Sequence, residues 1–435
     1  MSVRAYPAYR ESGVEWAGYT PSHWHIFPLK RSAKLVTDRA DRRSFPVALE
    51  NIEGWSGRFL DSEGDYSGDG TAFQRGDLLF GKLRPYLAKA WLADQGGEAI
   101  GDFHVIRVLA GQVPRYLQYV ILTREVISLI DGSTQGAKMP RASWDFLGSL
   151  MVPAPPRVEQ SAIAAFLDRE TGKIDALVAE QERLIALLRE KRQAVISEAV
   201  TKGLDPIVPM KDSGVEWLGE VPAHWEVRSI SSLTTKITNG YVGPTRDIFV
   251  DEGIRYLQSL HIKNNKINFH TPYYVSSNWS ASHKKSELAA GDVLVVQTGD
   301  IGQAAVVEDE FAGCNCHALI ILAPLARDLT GQWLSWTLNS PYGRQSLLAI
   351  QTGALHPHLN CGDVRDIRIP LPTLDEQSEI VKYLEQKLAN FDQLEAEAQA
   401  AITLLRERRS ALISAAVTGK IDVRDHAVAE QDAAA

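Results

Sequence analysis

The sequence predicts an α/β protein with a pseudo-two-fold internal repeat, in which two mixed α/β modules are joined by two long antiparallel coiled-coil helices. Three observations predict it: an opening motif written twice, two long amphipathic stretches that match each other, and strand-like runs at corresponding places in both intervening segments.

The repeat comes first. Ser12-Gly13-Val14-Glu15-Trp16 returns as Ser213-Gly214-Val215-Glu216-Trp217, and Pro21-Ser22-His23-Trp24 returns as Pro222-Ala223-His224-Trp225. Gly76-Asp77-Leu78-Leu79 matches Gly291-Asp292-Val293-Leu294, and His104-Val105-Ile106 matches His317-Ala318-Leu319. Glu159-Gln160 matches Glu376-Gln377, and Ile196 to Thr201 matches Ile413 to Thr418. The edges of each copy agree while the interiors differ in sequence and length. Copies this long are too large for solenoid repeats, so each reads as a domain with an appendage.

The appendage is helical. Between Val158 and Val200 Gly172 is the one helix breaker, and Ile163, Leu167, Ile174, Leu177, Leu184, Leu188, Val195 and Ala199 form a stripe. Ile380, Leu384, Phe391, Leu394, Ile402, Leu405, Leu412 and Ala416 repeat it. Such spacing predicts coiled-coil helices of roughly 60 Å. Pro153, Pro155 and Pro156 precede the first, and Pro370 and Pro372 the second, while Thr201-Lys202-Gly203 and Thr418-Gly419-Lys420 end them. A long stripe needs a partner, and the other copy in the same chain supplies one. Packed antiparallel, the two helices would form a rod with a module at each end. The expected boundaries are 1–155 and 206–372 for the modules, 156–203 and 373–420 for the helices, and 421–435 for a disordered tail.

Within the modules, Asp77 to Phe80, Asp292 to Val296, His104 to Leu109 and His317 to Leu322 read as buried strands. Arg115 to Ile130 and Leu329 to Ile350 read as helical, and glycine-rich turns such as Ser62 to Gly70 separate short strands.

At 435 residues, 45% apolar and 23% charged, the composition is that of an ordinary globular protein. No apolar run reaches bilayer length and Met1 to Arg10 lacks a signal-peptide core, so a cytoplasmic, membrane-free location is expected. Three cysteines are too few for a disulfide framework. Cys314-Asn315-Cys316-His317, with His356, His358 and Cys361, imitates a zinc site, but the spacing is too short, and buried thiols are the better reading. The net charge of −8, most acidic after residue 373, excludes indiscriminate nucleic-acid binding and leaves room only for local basic patches.

The doubled Ser-Gly-Val-Glu-Trp…Pro-x-His-Trp opening, with an apolar-Pro-x-Pro…Glu-Gln lead into each long helix, resembles the specificity subunits of type I restriction-modification enzymes across nearly the whole chain. The resemblance implies two target-recognition domains, each reading one half of a split double-stranded DNA site, with the helical pair as a ruler between them. It implies two methyltransferase subunits docked on the scaffold, methylating adenine with S-adenosylmethionine held by those partners, and restriction subunits that can join them. The chain itself then carries no cofactor or metal and is not an enzyme.

Base edges carry sequence information, so candidate readers are polar side chains in glycine-punctuated loops at matching places. The resemblance places near DNA the loop with Lys82, Arg84 and Tyr86, which aligns roughly with that of Thr298, Asp300 and Gln303. A second pair of loops carries Gln135, Lys138 and Arg141 against Thr352, His356 and His358. Arginine or lysine suits guanine O6/N7, and glutamine suits adenine N6/N7. Solvated turn residues are the plain alternative. Arg39, Arg42 and Arg43 alternate with acids and read as a solvated face, while Lys263, Lys266, Lys284 and Lys285 are weaker phosphate candidates. Trp16, Trp24, Trp217 and Trp225 sit at repeated scaffold positions, which favours packing over base stacking.

Enzymatic readings fail on chemistry. Gly76 to Lys82 imitates a P-loop, yet Leu83 stands where a magnesium-binding hydroxyl is needed. Asn339-Ser340-Pro341-Tyr342 resembles an adenine-methyltransferase motif, but no convincing glycine-rich cofactor turn accompanies it, and a helix-start turn explains it. Glu385-Gln386-Lys387 lies on a long helix and forms no nuclease cluster. A protein-interaction scaffold remains the alternative function, as does a specificity subunit of a methylation-only or degenerate system.

Overall fold

A computed structural model describes residues 4–40, 44–134, 139–353 and 357–424. The chain divides into two compact units, Met1–Glu182 with Gln399–Ala435, and Arg183–Ala398. Each unit thus combines one module with the start of one long helix and the end of the other.

In the first unit β1 (Ala33–Val36), β2 (Leu78–Gly81), β3 (Ala90–Leu92) and β4 (Phe103–Val108) form an antiparallel sheet in the order β1-β4-β2-β3. Leu78 and Phe80 face a cluster holding Trp24, Ile106, Val120, Leu167 and Ile413, while Leu79 and Val105 face a second one around Trp91. Burial on both faces explains why these strands read as apolar runs rather than alternating ones. Two helices follow, α1 (Pro114–Ile121) and α2 (Arg124–Gly132). The expected single helix from Arg115 to Ile130 is broken because Thr123 caps the second one, its hydroxyl accepting the Val126 N–H.

The second unit repeats this frame. β5 (Thr234–Asn239), β6 (Val293–Val296), β7 (Ala304–Val306) and β8 (Leu319–Pro324) form a sheet in the order β5-β8-β6-β7, followed by α3 (Gly331–Asn339) and α4 (Pro341–Ala349). Here Ser340 breaks the expected helix: its hydroxyl accepts the Gly343 N–H at 3.1 Å and Pro341 occupies the first helical position. The Asn-Ser-Pro-Tyr segment is therefore a helix start. The units differ in their second sheets. The first has three strands, Pro46–Val47, Gly97–Ile100 and Gly70–Phe73, and the second has four, Phe249–Val250, Tyr274–Val275, Ile254–Leu257 and Asn315–Cys316.

The long helices span Arg157–Lys202 and Leu374–Val417. Burial along the first follows a heptad through Leu167, Ile174 and Leu188, interleaved with Thr171, Ile185 and Ala199. Leu177, Leu184 and Leu394 were expected in the stripe but lie 51%, 40% and 44% exposed. Ile185 takes the buried place beside Leu184, a one-residue correction in phase. Charged residues occupy some seam positions. Arg409 pairs with Asp175 at 2.9 Å and Arg406 with Glu182 at 3.0 Å in the first unit. In the second, Arg189 pairs with Glu395 at 2.5 Å and Arg192 with Asp392.

Asp422 and Val423 belong to the segment expected to be disordered. Asp422 instead donates its N–H to the carbonyl of Arg4 at 2.8 Å, and Val423 is buried. Residues 425–435 lie outside the described residues. Among the described residues no helix is long and apolar enough to cross a membrane.

Candidate nucleic-acid interface

The doubled motifs form an anchor in each unit. Trp24 is fully buried and donates its indole N–H to Glu159 at 2.9 Å, while His23 contacts the same carboxylate at 2.7 Å. Trp225 donates to Glu376 at 2.8 Å and His224 lies 3.1 Å from it. The adjoining glutamines hold the loops ahead of the short helices. Gln160 accepts the Val113 N–H at 2.9 Å, and Gln377 accepts the Thr330 N–H at 2.9 Å. The repeated Pro-x-His-Trp and Glu-Gln thus fix each module to the start of a long helix. Trp16 donates to the carbonyl of Met151, which fits packing, whereas Trp217 is 51% exposed and departs from that expectation.

On this frame two loops meet in the first unit. Ala142 donates its N–H to the carbonyl of Lys82 at 2.9 Å, and Arg84 donates to the carbonyl of Pro140 at 2.9 Å. In the second unit Leu359 donates to the carbonyl of Gln297 at 3.0 Å, which joins the corresponding loops in the same way. The two loop pairs singled out in the sequence are therefore brought together in both units, each at the end of the central sheet.

Their side chains differ. Asp102 accepts from Arg141 Nε at 3.0 Å and Nη2 at 2.9 Å, and Lys82 Nζ lies 3.8 Å from it. The Arg141 guanidinium holds the Asp102 carboxyl below its ordinary range. His104, its pKa lowered by burial, hydrogen-bonds the Ala142 carbonyl at 2.9 Å from below. Arg84 is exposed with φ +51°, a left-handed conformation that a non-glycine residue rarely adopts. Tyr86 is set apart from Lys82 and Arg141. It lines a cleft of about 700 Å³ with Trp55, Arg58, Arg124 and Arg409.

In the second unit Gly299 and Gly302, both with positive φ, shape the turn that exposes Thr298 and Asp300. Gln303 donates to Asp300 at 3.1 Å and Arg344 Nη2 lies 3.4 Å from it. Thr352 and His358 exchange backbone hydrogen bonds at 2.9 and 2.8 Å. Gln135, Lys138 and His356 lie outside the described residues, as do Arg42 and Arg43. Lys263, Lys266, Lys284 and Lys285 are exposed, and Arg39 lies 3.7 Å from Asp69 with both side chains solvated.

Sequence reasoning passed over Asp102, Arg344 and Gln297, whose side-chain oxygen is buried without a hydrogen-bond partner. The expected match of His104 with His317 is three residues out of phase, because the central sheet pairs His104 with Phe80 but Ile320 with Val295. Asp102 therefore corresponds to Ala318, and the repeat carried no signal for it. Cys314 and Cys316 are buried thiols in an apolar cluster, and burial pushes Cys314 up to about 11. Gly81 ends an extended strand rather than opening a phosphate-binding loop.

The frame has known counterparts. Residues 222–404, from the second Pro-x-His-Trp into the second long helix, match the model of the type I restriction modification DNA specificity domain. In these residues the chain carries the pattern of that specificity domain. Over wider stretches the chain is similar to the EcoBI specificity subunit of Escherichia coli, 24% identical over 68% of this chain and 63% of that protein. The EcoKI specificity subunit of Escherichia coli K12 is 24% identical over 72% and 66%, and the MjaVIII specificity subunit of Methanocaldococcus jannaschii is 22% identical over 71% of each. The chain thus spans about two thirds of the length of these relatives. Among solved structures, a chain of a type I R-M system assembly superposes with a TM-score of 0.73 at 18% identity, covering 92% of this chain and 98% of that one. The HsdS subunit from Thermoanaerobacter tengcongensis gives 0.52 at 19% identity with the same coverage. These superpositions show the mixed α/β specificity-subunit fold. The first unit repeats the anchor and sheet order of the specificity domain although the family model covers only the second.

Proposed function

We propose that this chain is the DNA sequence-specificity subunit of a type I restriction-modification system, a non-catalytic reader of a bipartite target. One observation carries the reading: the same anchor, sheet order and loop-to-loop hydrogen bond occur in both units, while the side chains displayed there differ. A constant frame with divergent exposed loops suits two readers of unlike half-sites.

In this reading residues 1–155 and 206–372 are target-recognition domains, and residues 156–203 and 373–420 are antiparallel coiled-coil helices that set the spacing between half-sites. The charged seam pairs favour one register of that coiled coil. Two methyltransferase subunits, holding S-adenosylmethionine, dock on the scaffold and modify adenine, and restriction subunits join them. The chain's own work is binding and positioning. Lys82, Arg84 and Arg141 in the first domain, and Thr298, Gln303, Thr352 and His358 in the second, are the DNA-facing candidates.

The test is an exchange of residues 1–155 for those of another specificity subunit, in complex with the methyltransferase. One half-site changes and the other stays if the reading is right. A change in both halves contradicts it.

A further inference from the structure

We propose that Arg141 reads a guanine in the half-site bound by the first domain, and that Asp102 is the positioning residue that aims it. The proposal rests on the function proposed above. Asp102 takes Arg141 side-on, through Nε at 3.0 Å and Nη2 at 2.9 Å. That fork leaves Nη1 and the outer N–H of Nη2 without a partner among the described residues. This remaining edge is the end-on pair of parallel donors, which matches the O6 and N7 acceptors that guanine presents in the major groove. The Arg141 side chain is 46% exposed, so its open edge is hydrated rather than packed.

The support beneath is unusually complete for a surface arginine. The backbone of Arg141 bridges that of Leu83, and hydrogen bonds on either side, Arg84 to Pro140 and Ala142 to Lys82, fix the strand-like contact. The His104 ring holds the Ala142 carbonyl. Asp102 is fixed in turn, since its carbonyl accepts the Lys82 N–H at 2.9 Å. A side chain held this way has little rotamer freedom left to lose on binding. The second unit lacks the device. The central sheet pairs Phe103 with Gly81 and Leu319 with Val296, so Ala318 stands in the place of Asp102 and offers no carboxylate. His358 stands in the place of Arg141. Guanine reading by this device belongs to the first domain alone.

The experiment maps N6-methyladenine at base resolution for complexes of the methyltransferase with the wild-type chain and with Arg141→Ala, Arg141→Lys and Asp102→Asn. The wild-type motif is expected to hold a guanine in the half assigned to residues 1–155. Arg141→Ala is expected to relax that one position, with a loss of discrimination of roughly ten- to hundredfold. Asp102→Asn relaxes the same position more mildly, while the rest of the motif is unchanged. Arg141→Lys, which keeps the charge without the fork, relaxes it too, and decides the matter if the alanine variant fails to assemble. A half-site without guanine, an intact motif in the Arg141 variants, or an even weakening at all sequences (a phosphate contact) overturns the proposal and leaves the specificity reading standing. A wild-type complex that methylates without any split motif overturns both.

Discussion

The carboxylate of Glu159 accepts the indole N–H of Trp24 at 2.9 Å in a site where the indole is fully buried. The pair ties the opening motif of the first module to the first turn of a long helix, and Glu376 with Trp225 does the same in the second unit. Removing the acceptor strands a buried N–H. Glu159→Ala is expected to cost about 1–3 kcal/mol, and Glu159→Gln, which keeps an oxygen, less. Glu376 is more exposed than Glu159, with side-chain exposures of 27% and 10%, so Glu376→Ala costs less. Urea unfolding of the three variants checks the order.

Seam charges differ in weight. Arg409 is 13% exposed, pairs with Asp175 and donates to the carbonyl of Trp55 at 3.1 Å, whereas Arg406 and Glu182 are 60% and 54% exposed. Arg409→Ala is expected to cost roughly 1–3 kcal/mol and Arg406→Ala at most about 1 kcal/mol. A double-mutant cycle on Asp175 and Arg409 measures the coupling.

Asp77 and Asp292 occupy the same repeated position with different partners. Asp77 is held by Arg107 through two hydrogen bonds at 2.9 and 2.7 Å. Asp292 accepts the Ala289 N–H and, among the described residues, is hydrogen-bonded by no cation, Lys236 acting on it only through space. Burial raises the Asp292 pKa above the ordinary 3.8. The folded chain therefore binds this proton more tightly than the unfolded one. The contribution to stability is fully present below the unfolded pKa and is lost as pH rises through the folded value. Asp292→Asn, which keeps an oxygen for Ala289, is expected to stabilise the chain at neutral pH, with the gain vanishing toward acid. Melting temperatures of both proteins across pH 4–8 show whether the difference grows with pH.

Arg84 carries left-handed strain at an exposed loop tip. Arg84→Gly is expected to raise stability by roughly 1 kcal/mol while weakening DNA binding by the complex. Thermal melts and a gel-shift on the same samples test the opposition. A variant that loses both stability and binding contradicts it.

The large features were legible because they repeat. Two copies of Pro-x-His-Trp and Glu-Gln marked the anchors, and apolar runs marked β2, β4, β6 and β8. The helix break at Thr123 was missed because apolar periodicity runs on through a capping residue, whereas Pro341 marked the helix start at Ser340. The phase error at Leu184 arose because Ile185 beside it is equally apolar, so burial had to choose. At the interface the loops were visible from their glycines, but the Asp102–Arg141 pair joins residues far apart in sequence across a strand contact that no local pattern encodes. Tyr86 shares a loop with Lys82 and Arg84 yet lines a different cleft, because the turn Pro85–Leu87 carries it away.

The most direct test of the central claim is a base-resolution map of N6-methyladenine in DNA exposed to this chain with its methyltransferase partner. The account predicts a split motif, with a fixed gap and one modified adenine in each half. A stable complex that methylates without such a motif, or no complex at all, would contradict it.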